Sequence, residues 1–434
     1  MSRYWICFAL IVLVGLTARL VLAWMSPDEL QADHDAYIAH ALPLSHGWGY
    51  VVPSSDRPTA FRPPGYPLLL AGFMACGVSA SGSVLLVNTL LSAAAIALTI
   101  ALARRFGAGD WMSLLAGAVA ALDPLLVRYA ILPMTEVPCA AFLAAALIAF
   151  PGNSEPSECR WGKLSACGVL FGLAILVRPT VAMTLALLLI GFVLKKPNNG
   201  RAVSWLQDRL RPALIMAFST ALTLSPWVIR NAVQLQHFIP ATTHGGYTLA
   251  LGNNPEFYRD VVHGNGKFPW DGESLDRWQK RTLTAAAADG VAPGDEVALD
   301  AWYYRYSVQA IRDDVTGFVR SVWLRLGRFL ALTPAETQRN RVGIAIIAGW
   351  YSFVGAGILL LAGAHFFRLK SGQTQGPLDL WLVVLSFMLI HSVYWTDTRM
   401  RAPIMPVLAV LSVLGWTKLI KRRRRSYDLH HGDS

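Results

Sequence analysis

Apolar runs of near-membrane length recur from end to end of this 434-residue chain, and no other feature limits its fold so severely. A helix needs about 20 apolar residues to cross the hydrocarbon of a bilayer. Runs at 4–25, 84–104, 112–127, 135–150, 164–177, 180–194, 212–228, 342–367, 378–394 and 402–420 reach that length or fall a few residues short of it. Charge is scarce to match. Only 15% of residues are charged and 54% are hydrophobic, whereas soluble domains carry about 25% charged residues to face water. The expected fold is an all-α polytopic membrane protein of about ten transmembrane helices, with interfacial helices and a mixed extracytoplasmic segment.

Orientation follows from where the positive charges lie. With the N-terminus cytoplasmic, alternate connections hold Arg104 and Arg105, then Arg160 and Lys163, then the stretch from Lys195 and Lys196 to Arg211, then Arg368 and Lys370. The tail Lys421-Arg422-Arg423-Arg424-Arg425 falls on the same side, as the positive-inside bias requires. The apolar stretch 65–78 is short and is entered through Pro63-Pro64. Counting it as a span would turn every later basic connection outward, so it reads as a re-entrant or interfacial helix. The chain then divides into a first helix (1–25), a first extracytoplasmic loop (26–82) and a bundle (83–229). An extracytoplasmic domain (230–341), C-terminal spans (342–420) and a basic cytoplasmic tail (421–434) follow. Both termini are expected on the cytoplasmic side of the membrane.

The net charge of +11 does not point to nucleic acid, because the Lys and Arg sit in short connections and form no basic face with interleaved aromatics. Five cysteines (Cys7, Cys76, Cys139, Cys159, Cys167) show neither paired spacing nor histidine partners and carry no expected chemistry. Residues 1–25 are too long an apolar stretch for a signal peptide and lack a small-x-small cleavage site.

Against this apolar background the segment after the first span is unusual. Asp28, Glu29, Asp33 and Asp35 fall within eight residues, in a chain with 27 acidic residues altogether. Read as a helix, 33–41 puts Asp33, Tyr37 and Ala41 on one face. A carboxylate aimed from there into the bundle can take a proton from an attacking hydroxyl or amine. A solvated acidic loop, or one that binds a divalent cation, accounts for the residues equally well. Glu136, at the entrance to the run 135–150, is either a second site acid or a charge complementing a helix N-terminus.

Arginines gather on the same side, against the positive-inside trend. Arg178 lies between two spans, Arg230 ends one, and Arg399 and Arg401 open the last. A lipid phosphate suits the fork of a guanidinium, and bulk headgroups reached by snorkelling are the plainer partner. The segment 320–330, with Arg320, Arg325 and Arg328 among apolar residues, has the pattern of an interfacial helix. His244-Gly245-Gly246-Tyr247 and Gly252-Asn253-Asn254-Pro255 read as turns whose side chains are available to a hydroxyl-rich ligand.

The order of these motifs carries a resemblance. Asp33-x-x-x-Tyr37, Gly47-x-Gly49-Tyr50 and Phe61-Arg62-Pro63-Pro64-Gly65-Tyr66-Pro67 come first. Val177-Arg178-Pro179, Pro226-Trp227-x-x-Arg230-Asn231, Gly252-Asn253-Asn254-Pro255 and Arg399-Met400-Arg401-Ala402-Pro403 follow. From about Tyr4 to Ile420 the chain resembles the bacterial integral-membrane glycosyltransferases of the GT-C fold, in the family-39-like group related to protein mannosyltransferases and aminoarabinose transferases. The resemblance implies transfer of a sugar from a polyprenyl-phosphate donor to an envelope lipid, polysaccharide or protein on the extracytoplasmic face. Asp33 matches the position of the catalytic carboxylate. Asp35 stands in for a second acid where His34 replaces the one many relatives have, and Glu136 is a further candidate by position. Arg178, Arg230, Arg399 and Arg401 become candidates for the donor phosphate. Tyr37, Arg62, His244, Asn253 and Asn254 become candidates for substrate binding. No metal ligand is assigned; relatives differ in metal use, so a divalent cation is left open.

The chemistry implied is a single displacement with inversion: Asp33 takes the acceptor proton while arginines stabilise the departing phosphate. A transporter or flippase of lipid-linked saccharides is the alternative. It calls for midplane acids and an inverted repeat, and the sequence shows neither. A non-catalytic receptor built on 230–341 is a third class.

Overall fold

The computed structural model of the protein describes residues 3–152, 161–194, 206–264, 270, 272–333, 341–370 and 377–431. Cys159, Arg160, Lys195 and Lys196 lie outside the described residues. Within them the chain is helical, and the only β pairing is one isolated antiparallel bridge, Val51 to Pro58. Every apolar run of the sequence falls on a helix.

The helices in chain order begin with α1 (Arg3–Met25), α2 (Tyr37–Ser45), α3 (Gly65–Ala75), α4 (Ala80–Arg105) and α5 (Asp110–Ala121). Next are α6 (Pro124–Tyr129), α7 (Glu136–Ala149), α8 (Trp161–Val177), α9 (Val181–Leu194) and α10 (Arg211–Leu235). A second group comprises α11 (Gly245–Gly252), α12 (Gly272–Ala288), α13 (Glu296–Asp313) and α14 (Val315–Leu330). The chain closes with α15 (Arg341–Lys370), α16 (Leu378–Val393), a 3-10 turn (Thr398–Ile404) and α17 (Met405–His431). Among the described residues, five helices are long and apolar enough to cross a membrane, and six shorter apolar helices, α3 among them, accompany them. The protein is a multi-pass membrane protein.

Local chemistry explains the boundaries. The run 112–127 is two helices, because Asp123 breaks it and its Oδ1 accepts the Leu126 amide at 2.9 Å to start α6. The helical stretch 296–330 divides in the same way at Asp314, whose Oδ1 accepts the Gly317 amide at 2.7 Å. The interfacial reading of 320–330 needs correction at its centre. Arg325 is fully buried, with its guanidinium on Asn253 Oδ1 at 3.1 Å and on the Val393 carbonyl at the end of α16. A polar partner inside the protein outcompetes the headgroup layer there.

Packing is tight where it sets the site. On α8, Gly168 and Gly172 face α10, and a Cβ at Gly168 would come within 2.3 Å of the Met216 carbonyl oxygen. Small residues four apart are what lets two membrane helices approach this closely. Thr220 Oγ1 adds a 2.9 Å bond to the Gly168 carbonyl. This crossing fixes the C-terminal end of α8, beyond which Arg178 lies. The Pro63-Pro64-Gly65 turn rests on the same end, since a Cβ at Gly65 would lie 2.8 Å from the Leu176 backbone.

Candidate active site

The loop between α1 and α2 does not continue the helix back to Asp33. Asp33 sits in a turn, and α2 starts at Tyr37 behind Ala36, which holds a left-handed conformation (φ 60°, ψ 26°). An L-residue with a Cβ meets steric cost there, and such strain gathers where a side chain must be aimed. Asp33 Oδ2 accepts the Ala39 amide at 2.8 Å, satisfying a helix-start donor. The shared face expected of Asp33, Tyr37 and Ala41 is therefore replaced by a cap. Asp33 Oδ1 is buried with no hydrogen-bond partner.

Two residues on, Asp35 starts a chain of alternating charges. Its Oδ1 accepts from Arg62 at 2.9 Å and its Oδ2 from Arg399 at 3.4 Å. Arg399 Nε lies 3.0 Å from Glu136 Oε1, and Arg178 donates to the same oxygen at 3.1 Å. Five groups from five segments are thus joined. The Glu136 side chain is 0% exposed, while those of Arg62, Asp35 and Arg399 keep 16%, 20% and 25% of their surface. The Glu136 end is a buried anchor, and the Arg62, Asp35 and Arg399 end keeps accessible surface. Three guanidiniums against two carboxylates leave one surplus positive charge.

Each member is placed by its neighbours. Asn88 on α4 donates to the Ala130 and Leu132 carbonyls at 3.1 and 2.9 Å and so fixes the approach to Glu136. The same Asn88 accepts from Tyr66, whose ring stands edge-on to Tyr37 at 5.5 Å. Asp397 Oδ1 accepts the Arg399 amide at 2.8 Å. Arg62 lies over the rings of Phe61 (5.2 Å) and Tyr37 (5.9 Å), and Phe61 meets the His244 ring at 4.4 Å.

Electrostatics follows this geometry. Burial alone would raise the Asp35 carboxyl, but Arg62 and then Arg399 outweigh it and hold it below its ordinary value. Burial, reinforced by Arg62 and opposed by Asp35, pushes the His244 imidazole down to about 3. His244 is a neutral ring beside the charged cluster, and its Nδ1 has no partner.

Of the residues singled out from sequence, Asp35, Glu136, Arg178, Arg399, Arg62, Tyr37 and His244 converge here, beside Asp33. The others do not join them. Arg230 donates to the Thr59 carbonyl at 2.6 Å and to the Tyr50 carbonyl. Arg401 donates to the Phe329 and Ala331 carbonyls at 3.1 and 2.5 Å and lies over Tyr351. Asn254 caps the Phe257 amide, and Asn253 receives Tyr258 and Arg325, both asparagines being fully buried. These four serve the scaffold, since backbone carbonyls and amides left bare at such depth are costly. Sequence reasoning missed Asn88, and it missed Glu296 and Asp300, which hold the loops beside the site. Among the described residues no group of three or more metal-ligating side chains is present.

Comparison with known proteins gives a consistent fold. Residues 61–229 match the family described as dolichyl-phosphate-mannose-protein mannosyltransferase. No curated protein sequence matches. Among solved structures, the archaeal oligosaccharyltransferase AglB from Archaeoglobus fulgidus, in complex with an inhibitory peptide and a dolichol-phosphate, superposes with a TM-score of 0.57 at 14% identity. The match covers 100% of this chain and 52% of that one. The apo form of the Archaeoglobus fulgidus oligosaccharyltransferase gives 0.55 at 15% identity, over 99% and 52% of the two chains. ArnT from Cupriavidus metallidurans bound to undecaprenyl phosphate gives 0.45 at 17% identity, over 96% and 78%. This chain spans about half the length of the oligosaccharyltransferase it matches. The fold is of the GT-C type.

Proposed function

We propose that this GT-C chain is a membrane glycosyltransferase that moves a sugar from a polyprenyl-phosphate donor to a hydroxyl or amine of an envelope lipid, polysaccharide or protein on the extracytoplasmic face. One observation carries the reading. Asp33 Oδ1 and Glu136 Oε2 are both buried and unpartnered, but Glu136 is held by two guanidiniums through its other oxygen and Asp35 by two, whereas the other oxygen of Asp33 takes only the Ala39 amide. A general base needs a free oxygen within reach of the acceptor proton. A departing phosphate needs fixed positive charge in a site of low dielectric. Asp33 Oδ1 supports the first requirement, and the arginines on Asp35, two residues on, support the second.

In the proposed step the acceptor oxygen or nitrogen attacks the anomeric carbon and forms the new glycosidic bond. Its proton passes to Asp33 Oδ1. The bond from the anomeric carbon to the phosphate oxygen breaks, and the electron pair leaves with polyprenyl phosphate. Arg399, Arg178 and Arg62 are the candidates to receive that charge, with Glu136 holding two of them in register. A single displacement inverts the anomeric centre. Glu136, doubly paired and fully buried, suits a positioning role better than that of an acid. The dolichol-phosphate held by AglB supports a polyprenyl-phosphate donor here.

The test is transfer from a panel of labelled polyprenyl-phosphate hexoses and pentoses by the purified protein in nanodiscs. Asp33→Asn is expected to lose at least about a hundredfold in rate while remaining folded. A fully active Asp33→Asn variant removes the assignment.

A further inference from the structure

Three residues of α13, Glu296, Asp300 and Tyr304, are spaced four apart and share one face of the helix. Each meets a different segment at the edge of the site. Glu296 Oε2 accepts from Thr59 Oγ1 at 2.5 Å and its Oε1 accepts the Ala60 amide at 2.7 Å. Asp300 Oδ1 accepts the Gly246 amide at 2.6 Å. Tyr304 Oη lies 3.5 Å from Tyr394 Oη, at the end of α16 and ahead of the Arg399 turn. The approach is close enough to dictate sequence on the partner. A Cβ at Gly245 would lie 2.2 Å from Tyr304 Oη, and one at Gly246 would lie 2.2 Å from the Asp300 carbonyl oxygen.

The segments held in this way are stitched to each other. The Thr243 amide donates to the Ala60 carbonyl at 3.0 Å, and Thr242 Oγ1 donates to the Phe61 carbonyl. Residues 59–62 have no helix or strand of their own, so side-chain bonds are what locate them. Thr59 is gripped from both sides: Arg230 takes its carbonyl and Glu296 its hydroxyl. Arg62, which completes Asp35, comes two residues after the Ala60 amide held by Glu296. His244, against Phe61, comes two residues before the Gly246 amide held by Asp300.

We propose that the Glu296–Asp300–Tyr304 face of α13 is a positioning device for the transfer reaction, setting Arg62 against Asp35 and His244 against Phe61 as one unit. The proposal rests on the glycosyltransferase reading above. None of the three residues is a catalytic residue; they act through Arg62 and His244. In this scheme Glu296 supplies geometry. Glutamine at that position keeps the acceptor for the Ala60 amide and offers a donor to Thr59 Oγ1, whereas alanine loses both.

The test compares Glu296→Ala and Glu296→Gln in the full-length protein in nanodiscs. With donor saturating, Glu296→Ala is expected to lower kcat at least about tenfold, since a shift of about 1 Å at a reacting group is enough for that. Glu296→Gln keeps kcat within about threefold of wild type. A silent Glu296→Ala, equal losses in the two variants, or a loss that tracks the fraction of unfolded protein overturns the proposal. Amide hydrogen exchange over 57–63 reads the clamp without any donor. Exchange there is expected to rise in Glu296→Ala and not in Glu296→Gln, and an unchanged pattern overturns the proposal whatever the transfer assay gives. Absence of transfer by the wild-type protein, with the exchange difference present, counts against the glycosyltransferase reading and leaves the clamp standing.

Discussion

Arg399 lies 3.0 Å from Glu136 and 3.4 Å from Asp35, so one guanidinium at the start of the last span joins the acid of the second loop to an acid of the first. Arg399 is the hinge of the charge cluster, and one of its carboxylates is buried while the other is partly open.

Donor affinity should divide the arginines according to this geometry. Arg399→Gln is expected to weaken polyprenyl phosphate binding about tenfold to a hundredfold, the range for a lost charge-assisted hydrogen bond. Arg230→Gln should leave that affinity near wild type, because its guanidinium is engaged with the Tyr50 and Thr59 carbonyls. Equilibrium binding of a fluorescent polyprenyl phosphate in nanodiscs checks both. Equal weakening in the two variants would return Arg230 to the phosphate site.

Glu136 should matter for the folded state before it matters for turnover. Its carboxylate is fully buried between Arg178 and Arg399. Removing one partner from a buried ion pair typically costs about 3–5 kcal/mol, because the remaining charge is left uncompensated. Glu136→Ala is therefore expected to be strongly destabilised in detergent. A Glu136→Ala/Arg178→Met double variant should recover part of the loss, and a double-mutant cycle measures it. Simple additivity of the two changes would mean that the pair is not coupled.

His244 gives the protein a sensitivity to mild acid. Its folded-state pKa of about 3 lies below the ordinary 6.5, so between these values the unfolded chain binds a proton that the folded chain refuses. Stability is therefore complete above about pH 6.5 and falls as pH drops toward 3, by roughly 1–2 kcal/mol at pH 5. His40, also held low by burial, contributes in the same direction. Asp35, held below 3.8, weakens the fold only at lower pH. Unfolding midpoints at pH 7.5 and 5.0 should converge in His244→Gln relative to wild type. An unchanged difference would mean that His244 is protonated in the folded protein.

The extent to which sequence foretold this structure depends on the range of each interaction. Hydropathy is local, so every apolar run became helical, although by length Gly65–Ala75 belongs with five other short apolar helices that the sequence reads as spans. The acids and arginines of the cluster were visible as residues out of place in an apolar chain. Their pairing was not, because Asp35, Glu136, Arg178 and Arg399 meet only after distant helices cross. Arg325 shows the same limit: arginine among apolar residues suits a lipid surface as well as a buried anchor, and Asn253 on another segment decides between them. Asp33 was placed on the wrong kind of element, since its spacing to Tyr37 fits a helix that Ala36 in fact interrupts. Glu296 looked ordinary because an acid at a helix start has a ready local explanation.

The crossing of α8 and α10 offers a contrast within one helix. Gly168 faces the Met216 carbonyl oxygen, where a Cβ would sit at 2.3 Å, whereas Gly162 is exposed with nothing within 4 Å. Replacing the open glycine removes backbone freedom from the unfolded chain and favours helix by up to about 1 kcal/mol. Gly162→Ala is thus expected to be neutral or slightly stabilising. Gly168→Ala must push two backbones apart and is expected to destabilise by about 1–3 kcal/mol. Because α8 leads directly into Arg178, the same change should lower transfer beyond the loss of folded protein. Melting curves and specific activity for the two variants decide the matter, and equal behaviour would mean that the helices can separate there without disturbing the site.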